Sequence, residues 1–249
     1  TVGSGLGSVS FDAVVDTGSS NTAIPSVSCT SCESTAFYNA QLSPTSAPLP
    51  CGDPRCQNCV PTTVGSMELP SAWNTSHCPY GTSSCSVKGL CTFSISYGGS
   101  SSALSGSTVY DKVCLGPQLC AHAPVNQVEN EYPAGTLSDG IVGLAFPANA
   151  CNPTCQPTIL DALVAGGALQ PQENVFGLCL TATSGGMLDI GAPNASRYYG
   201  AILYTPIVSQ EWFNIEIHDI EIGGVSIGVP RFFYQIRNDA IGSFVDSGT

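Results

Sequence analysis

Two short stretches of this sequence place an aspartate after apolar residues and before a hydroxyl and a glycine. The first is AVVDTGSS, with Asp16, Thr17, Gly18 and Ser19. The second is GSFVDSGT, with Asp246, Ser247, Gly248 and Thr249. A glycine in that place lets the chain turn tightly with close backbone approach. The hydroxyl and the turn amides can hydrogen-bond the carboxylate and hold it ionised. One such turn is ordinary turn chemistry. Two, each preceded by an apolar strand, gain another use if they meet in space. Like charges that close cannot both ionise, so one carboxyl keeps a proton. The pair can then act as base and acid together. One member takes a proton from water and the other polarises a carbonyl, with neither a metal nor a covalent intermediate.

The elements that must carry these turns read as short strands. Candidates run over 8–15, 92–97, 107–115, 175–180, 187–190, 201–207, 213–222 and 243–246, several with the apolar–polar alternation of a half-buried sheet. One helix is predicted at 156–166, with Pro157 near its start and Gly166-Gly167 after its end. Residues 27–91 differ: they are rich in Cys, Pro, Ser and Thr and have weak periodicity, which predicts an irregular insert stapled by disulfides. A boundary between two lobes fits at 168–173, just before the apolar run VFGLCL.

Composition narrows the function further. Charged residues make up only 10% of the 249, and Gly and Pro together supply 45, which suits short strands and turns rather than helical bundles. The six Lys and Arg against 18 Asp and Glu leave a net charge of −12. No basic patch exists to neutralise phosphates, so nucleic acid is excluded as a partner, and an anionic membrane surface for the same reason. At acidic pH many carboxylates would be neutral and self-repulsion would fall, which permits work in an acidic compartment. Thirteen cysteines in so lightly charged a chain read as disulfides and an oxidising compartment. The CxxC pairs Cys29/Cys32 and Cys56/Cys59 raise zinc as the alternative. Sequons at Asn74 and Asn194 agree with secretion. No apolar run approaches the length needed to cross a bilayer.

The segment DTGSSNTAIPSVSC resembles the first active-site turn of pepsin-like aspartic proteases (family A1), and FVDSGT resembles the second. Between them ISYGGSSSALSGSTVYDKV is similar to the family's flap hairpin, and SDGIVGLAF to the segment that crosses behind the first aspartate. VFGLCL, GGMLDIGA, YGAILYTPI and FNIEIHDIEIGG resemble successive strands of the second lobe, in family order over nearly the whole chain. The long cysteine-rich stretch, with YNAQLSPTSAPLPC, is closer to nepenthesin-type plant proteases and plasmepsin V. The resemblance implies a mostly β, bilobal acid-protease fold. Residues 1–171 would form the N-terminal lobe, with the insert at about 27–91 and the flap at about 92–113. Residues 172–249 would form part of a C-terminal lobe that is incomplete at the second turn, and a first strand would be missing at the other end. It also implies that Cys179 pairs with a cysteine beyond Thr249.

By the same resemblance Asp16 and Asp246 are the catalytic pair, and Thr17, Gly18, Ser19, Ser247, Gly248 and Thr249 support them. Thr17 and Ser247 would supply the cross-turn hydroxyls, while Ser19 and Thr249 each support the aspartate of their own turn. Tyr97 and Gly98 would lie on a flap that closes over an extended peptide or protein substrate. Many relatives carry a tryptophan shortly after the first turn, hydrogen-bonded to the flap tyrosine; here Ala23 stands there, so flap support must come from elsewhere. The implied protein is a monomeric endopeptidase of a secretory, endomembrane or vacuolar lumen, made as a zymogen, needing no cofactor and no metal. Two other classes compete. One is a binding protein on the same fold, like the plant xylanase inhibitors that have lost catalytic residues; it would not need both intact turns. The other is a zinc adaptor built on the CxxC pairs, which explains neither turn. His77, His122 and His218 are scattered and define no site.

Overall fold

A computed structural model of the chain describes residues 1–50, 53, 55–56, 89–97, 101–133, 139–150, 156–181, 185–237 and 240–248. It is mostly β. The first part is built on a seven-stranded sheet. Its strands are β1 (Val14–Asp16), β2 (Thr22–Pro25), β3 (Ala47–Pro48), β4 (Thr92–Tyr97), β5 (Ser102–Cys114), β6 (Cys120–Tyr132) and β7 (Ile141–Gly143). They run in the order β1-β7-β2-β6-β5-β3, with β4 also paired to β5. The β1–β7 and β2–β6 pairs are parallel and the others antiparallel.

One helix, α1 (Ile159–Ala165), covers the sheet. It begins after Pro157, at Thr158, whose hydroxyl accepts from the Asp161 amide at 3.2 Å while Asp161 Oδ2 accepts from the Thr158 amide at 3.1 Å. That reciprocal pair satisfies donors the helix itself leaves open, and it sets the start later than the proline alone predicts. Ile159, Leu160 and Leu163 enter the main core with Ile24, Val109, Val113, Val125 and Leu144.

Where the insert begins, Tyr38 is fully buried. Its phenol donates to Asp111 Oδ2 at 2.5 Å, and Asp111 Oδ1 accepts from Thr45 Oγ1 at 2.5 Å and from the Lys112 amide at 2.7 Å. A carboxylate without solvent therefore has donors on both oxygens, as a buried charge requires. Cys29 pairs with Cys32, Cys56 with Cys91 and Cys114 with Cys120. Cys56 is thus joined to a residue 35 positions away, not to its CxxC neighbour. No metal-binding cluster occurs among the described residues. Cys179 has no disulfide partner among them. No described helix is long and apolar enough to cross a membrane.

From residue 176 the strands form small separate sheets. A hairpin joins β8 (Phe176–Leu180) and β9 (Gly186–Ile190). The three strands β10 (Ser209–Gln210), β11 (Phe213–Ile215) and β16 (Ser243–Phe244) pair through β11. Two further ribbons join β12 (Glu221–Ile222) to β13 (Val225–Ser226) and β14 (Ile236–Arg237) to β15 (Ala240–Ile241). The predicted strand at 201–207 instead forms no strand and its residues are exposed, and 213–222 is two short strands with a stretch outside any strand between them. Neither has a full set of neighbours to pair with, and alternation alone does not hold a strand.

Candidate active site

β1 carries its apolar residues into the sheet and ends on Asp16, which is 5% exposed. β7 runs parallel beside it, with Gly143 opposite Asp16. The Leu144 amide donates to the Asp16 carbonyl and the Ala145 amide to the Ser19 carbonyl, both at 2.8 Å. Segment 143–145 therefore laces the underside of the first turn. The glycine is required: a Cβ on it would lie 2.5 Å from the Asn21 nitrogen and 2.6 Å from the Ser19 oxygen. From the far end of the chain, β16 leads into the second turn and is held by β11, with the Val245 amide donating to the Phe213 carbonyl at 3.1 Å.

The two turns lock together with near two-fold symmetry. Thr17 Oγ1 donates to the Val245 carbonyl at 3.0 Å and accepts from the Ser247 amide at 2.9 Å. Ser247 Oγ donates to the Val15 carbonyl at 2.7 Å and accepts from the Thr17 amide at 3.2 Å. Each hydroxyl thus serves the backbone of the opposite turn, on both sides of that turn's aspartate. Within each turn the glycine amide donates to its own aspartate, Gly18 to Asp16 Oδ1 and Gly248 to Asp246 Oδ1, both at 2.8 Å. Each glycine also faces the opposite carboxyl group. A Cβ on Gly18 would lie 2.5 Å from Asp246 Oδ2, and one on Gly248 would overlap Asp16 Oδ1.

Asp16 is held above the ordinary aspartate range. Burial raises it most, and the charge and hydrogen bonding of Asp246 raise it further, against the Ser19 hydroxyl at 2.5 Å and the Gly18 amide, which lower it. Asp246 itself is exposed.

Tyr97 ends β4, and the β4–β5 hairpin pairs Tyr97 with Ser102. The Tyr97 hydroxyl oxygen is buried. Burial first, and then the Asp16 charge, push its pKa up against the hydrogen bonding of the Ser19 side chain, so it stays protonated. Beneath the ring, buried Ala23 packs with Phe93, Leu104 and Val128, and the paired cysteines 29 and 32 join the same cluster. That packing supports the hairpin where relatives use a tryptophan. Gly98 and Thr249 lie outside the described residues.

Two residues at the site carried no signal in the sequence. Trp212 Nε1 donates to the Gly18 carbonyl at 2.9 Å and Asn149 Nδ2 to the same oxygen at 3.2 Å. Neither sits in a recognisable spacing. The one available hint was that Trp212 is one of only two tryptophans in the chain.

The family described as eukaryotic aspartyl protease matches this chain over residues 1–49 and 66–249. The unmatched gap falls inside the cysteine-rich stretch. The chain belongs to that family. Aspergillopepsin-1 of Aspergillus oryzae is 32% identical over 192 residues, which cover 75% of this chain and 45% of the relative. Penicillopepsin-1 of Penicillium janthinellum is 33% identical over 157 residues, 60% of this chain and 46% of the relative. Cathepsin D of Dictyostelium discoideum is 28% identical over 225 residues, 88% of this chain and 48% of the relative. The chain spans about half the length of the curated relatives it matches.

Proposed function

We propose that the protein carrying this chain is an endopeptidase that hydrolyses peptide bonds through Asp16, Asp246 and a water molecule. The observation that carries this reading is the reciprocal Thr17–Ser247 lock, which brings two carboxyl groups from opposite ends of the chain against each other's turns. With one proton between them, the ionised member accepts a proton from water as the water attacks the scissile carbonyl. The protonated member donates to the carbonyl oxygen. The proton gained from water then passes to the departing amine. Thr17, Gly18, Ser19, Ser247, Gly248 and Thr249 hold the pair, and Tyr97 and Gly98 cover an extended peptide or protein substrate. The Tyr97 hydroxyl lies buried beside Asp16 and Ser19.

The pH dependence follows from the raised Asp16. The shared proton is present below the raised value and is lost as pH rises through it, so cleavage belongs to the acidic range. The remaining proposals rest on the three disulfides among the described residues, the acidic composition and the cysteine-rich insert. They are two lobes divided near 171/172 and a monomer of a secretory or vacuolar lumen, made as a zymogen of the nepenthesin type. No observation favours a binding protein that has lost catalysis. The test is digestion of an unstructured polypeptide by the full-length, propeptide-free protein from about pH 3 to about pH 7. Cleavage that rises toward acid and disappears in Asp246→Asn is the expected result. No cleavage by folded protein at any pH would overturn the reading.

A further inference from the structure

Asn194 opens the sequence Asn194-Ala195-Ser196 on the loop that follows β9. It is exposed and sits just before a single 3-10 turn, Ala195–Arg197. Its side-chain oxygen is fully used locally: Oδ1 accepts from the Ser196 amide at 3.0 Å and from Ser196 Oγ at 2.8 Å. No described group accepts a hydrogen bond from its side-chain nitrogen. The loop is fastened below by an ion pair of Arg197 with Asp189 on β9, at 2.6 Å, and flanked on the solvent side by a fully exposed Tyr199. The amide thus has a structural end and a free end. A group attached to Nδ2 would leave both bonds at Oδ1 intact and would project into solvent.

We propose that Asn194 is a site of N-linked glycosylation. The proposal rests on the reading of an oxidising lumen, where the sugar donor and its transferase are found. The co-reactant is an oligosaccharide carried on a lipid pyrophosphate. Asn194 Nδ2 bonds to the anomeric carbon as the bond from that carbon to the pyrophosphate oxygen breaks. The amide loses one proton, and the lipid pyrophosphate leaves as its free acid or anion. The Ser196 hydroxyl is recognised and not consumed. Because the turn's own hydrogen bonds use only the oxygen, the modified residue keeps the fold it has now.

The test is a peptide map of the full-length protein purified from a eukaryotic host, with and without treatment by a peptide-N-glycosidase, which leaves aspartate where a glycosylated asparagine stood. The expected result is conversion of Asn194 to aspartate on treatment, lost in Ser196→Ala and retained in Ser196→Thr. Ser196→Ala leaves Asn194 in place, and the hydroxyl variant separates recognition from folding. An unmodified Asn194 in the wild-type protein overturns the proposal. The state of Cys29 and Cys32 in the same map tells which premise failed. If they are oxidised, the compartment stands and the site does not; if they are reduced, the compartment reading falls with it.

Discussion

At Asp16 opposing influences meet on one carboxyl group. Burial and Asp246 favour the neutral acid, while the Ser19 hydroxyl and the Gly18 amide favour the anion. Ser19→Ala removes the larger of the two forces that lower it. The expected outcome is a pH–rate profile whose alkaline limb moves to higher pH, with a rate at the optimum lower by roughly tenfold, the scale of a lost hydrogen bond to a charged group. A limb that stays in place would mean that Ser19 does not act on the titrating group. The pairing of Ser19 with Asp16 followed from the family resemblance, whereas the hydroxyl next to the aspartate, Thr17, serves the opposite turn instead of the Asp16 carboxylate. What opposes Ser19 was not legible in the sequence, because burial and the nearness of Asp246 arise only when residues 230 positions apart are brought together.

The elements behind the turns matter as much as the turns. β7 reaches the first turn so closely that Gly143 has no room for a side chain. Gly143→Ala is expected to destabilise the protein by about 1–3 kcal/mol through that overlap and to reduce cleavage with it, as followed by denaturant unfolding. A variant as stable as the parent would contradict the close crossing. Strand β4 and the hairpin β8–β9 were readable to within one residue, whereas β5 was read from 107, five residues after its start at Ser102. The longest miss is β6, 13 residues with no clear strand signal. It contains Pro124 and buries Asn126, Gln127 and Glu131. Asn126 and Gln127 are tolerated because partners on β5 reach them: Thr108 Oγ1 donates to Asn126 Oδ1, and Gln127 Nε2 donates to Ser107 Oγ. Pro124 lies where β6 pairs with β5 but not with β2, so its missing N–H costs no bond in the parallel pair.

For the whole molecule, two buried aspartates pull stability in opposite directions with pH. Asp16 is raised in the fold. Its contribution is fully present below the ordinary value of 3.8 and is lost as pH rises through its raised value. Asp111 is lowered. Burial alone would raise it, but the donors from Thr45, Tyr38, Ser43 and the Lys112 amide outweigh that effect. Its contribution is present above 3.8 and is lost as pH falls through the lowered value. With 18 acidic residues against six basic ones, self-repulsion also eases toward acid. The full-length protein is therefore expected to be more stable than Asp111→Asn by about 2 kcal/mol near neutrality, in line with charged hydrogen bonds. The gap should narrow as pH falls below the ordinary aspartate range. Denaturant unfolding over a pH series checks this, and a gap independent of pH would contradict it.

The central claim is that the two ends of the chain make one catalytic pair, and a double-mutant cycle on the full-length protein tests it most directly. Cleavage rates at the acidic optimum would be compared for the wild type, Asp16→Asn, Asp246→Asn and the double variant, with folding of each verified by its unfolding transition. If the carboxyls act as a unit, each single change costs about 10³-fold or more and the double change costs little beyond either one. Substantial cleavage by either folded single variant, or losses that multiply in the double variant, would contradict the account.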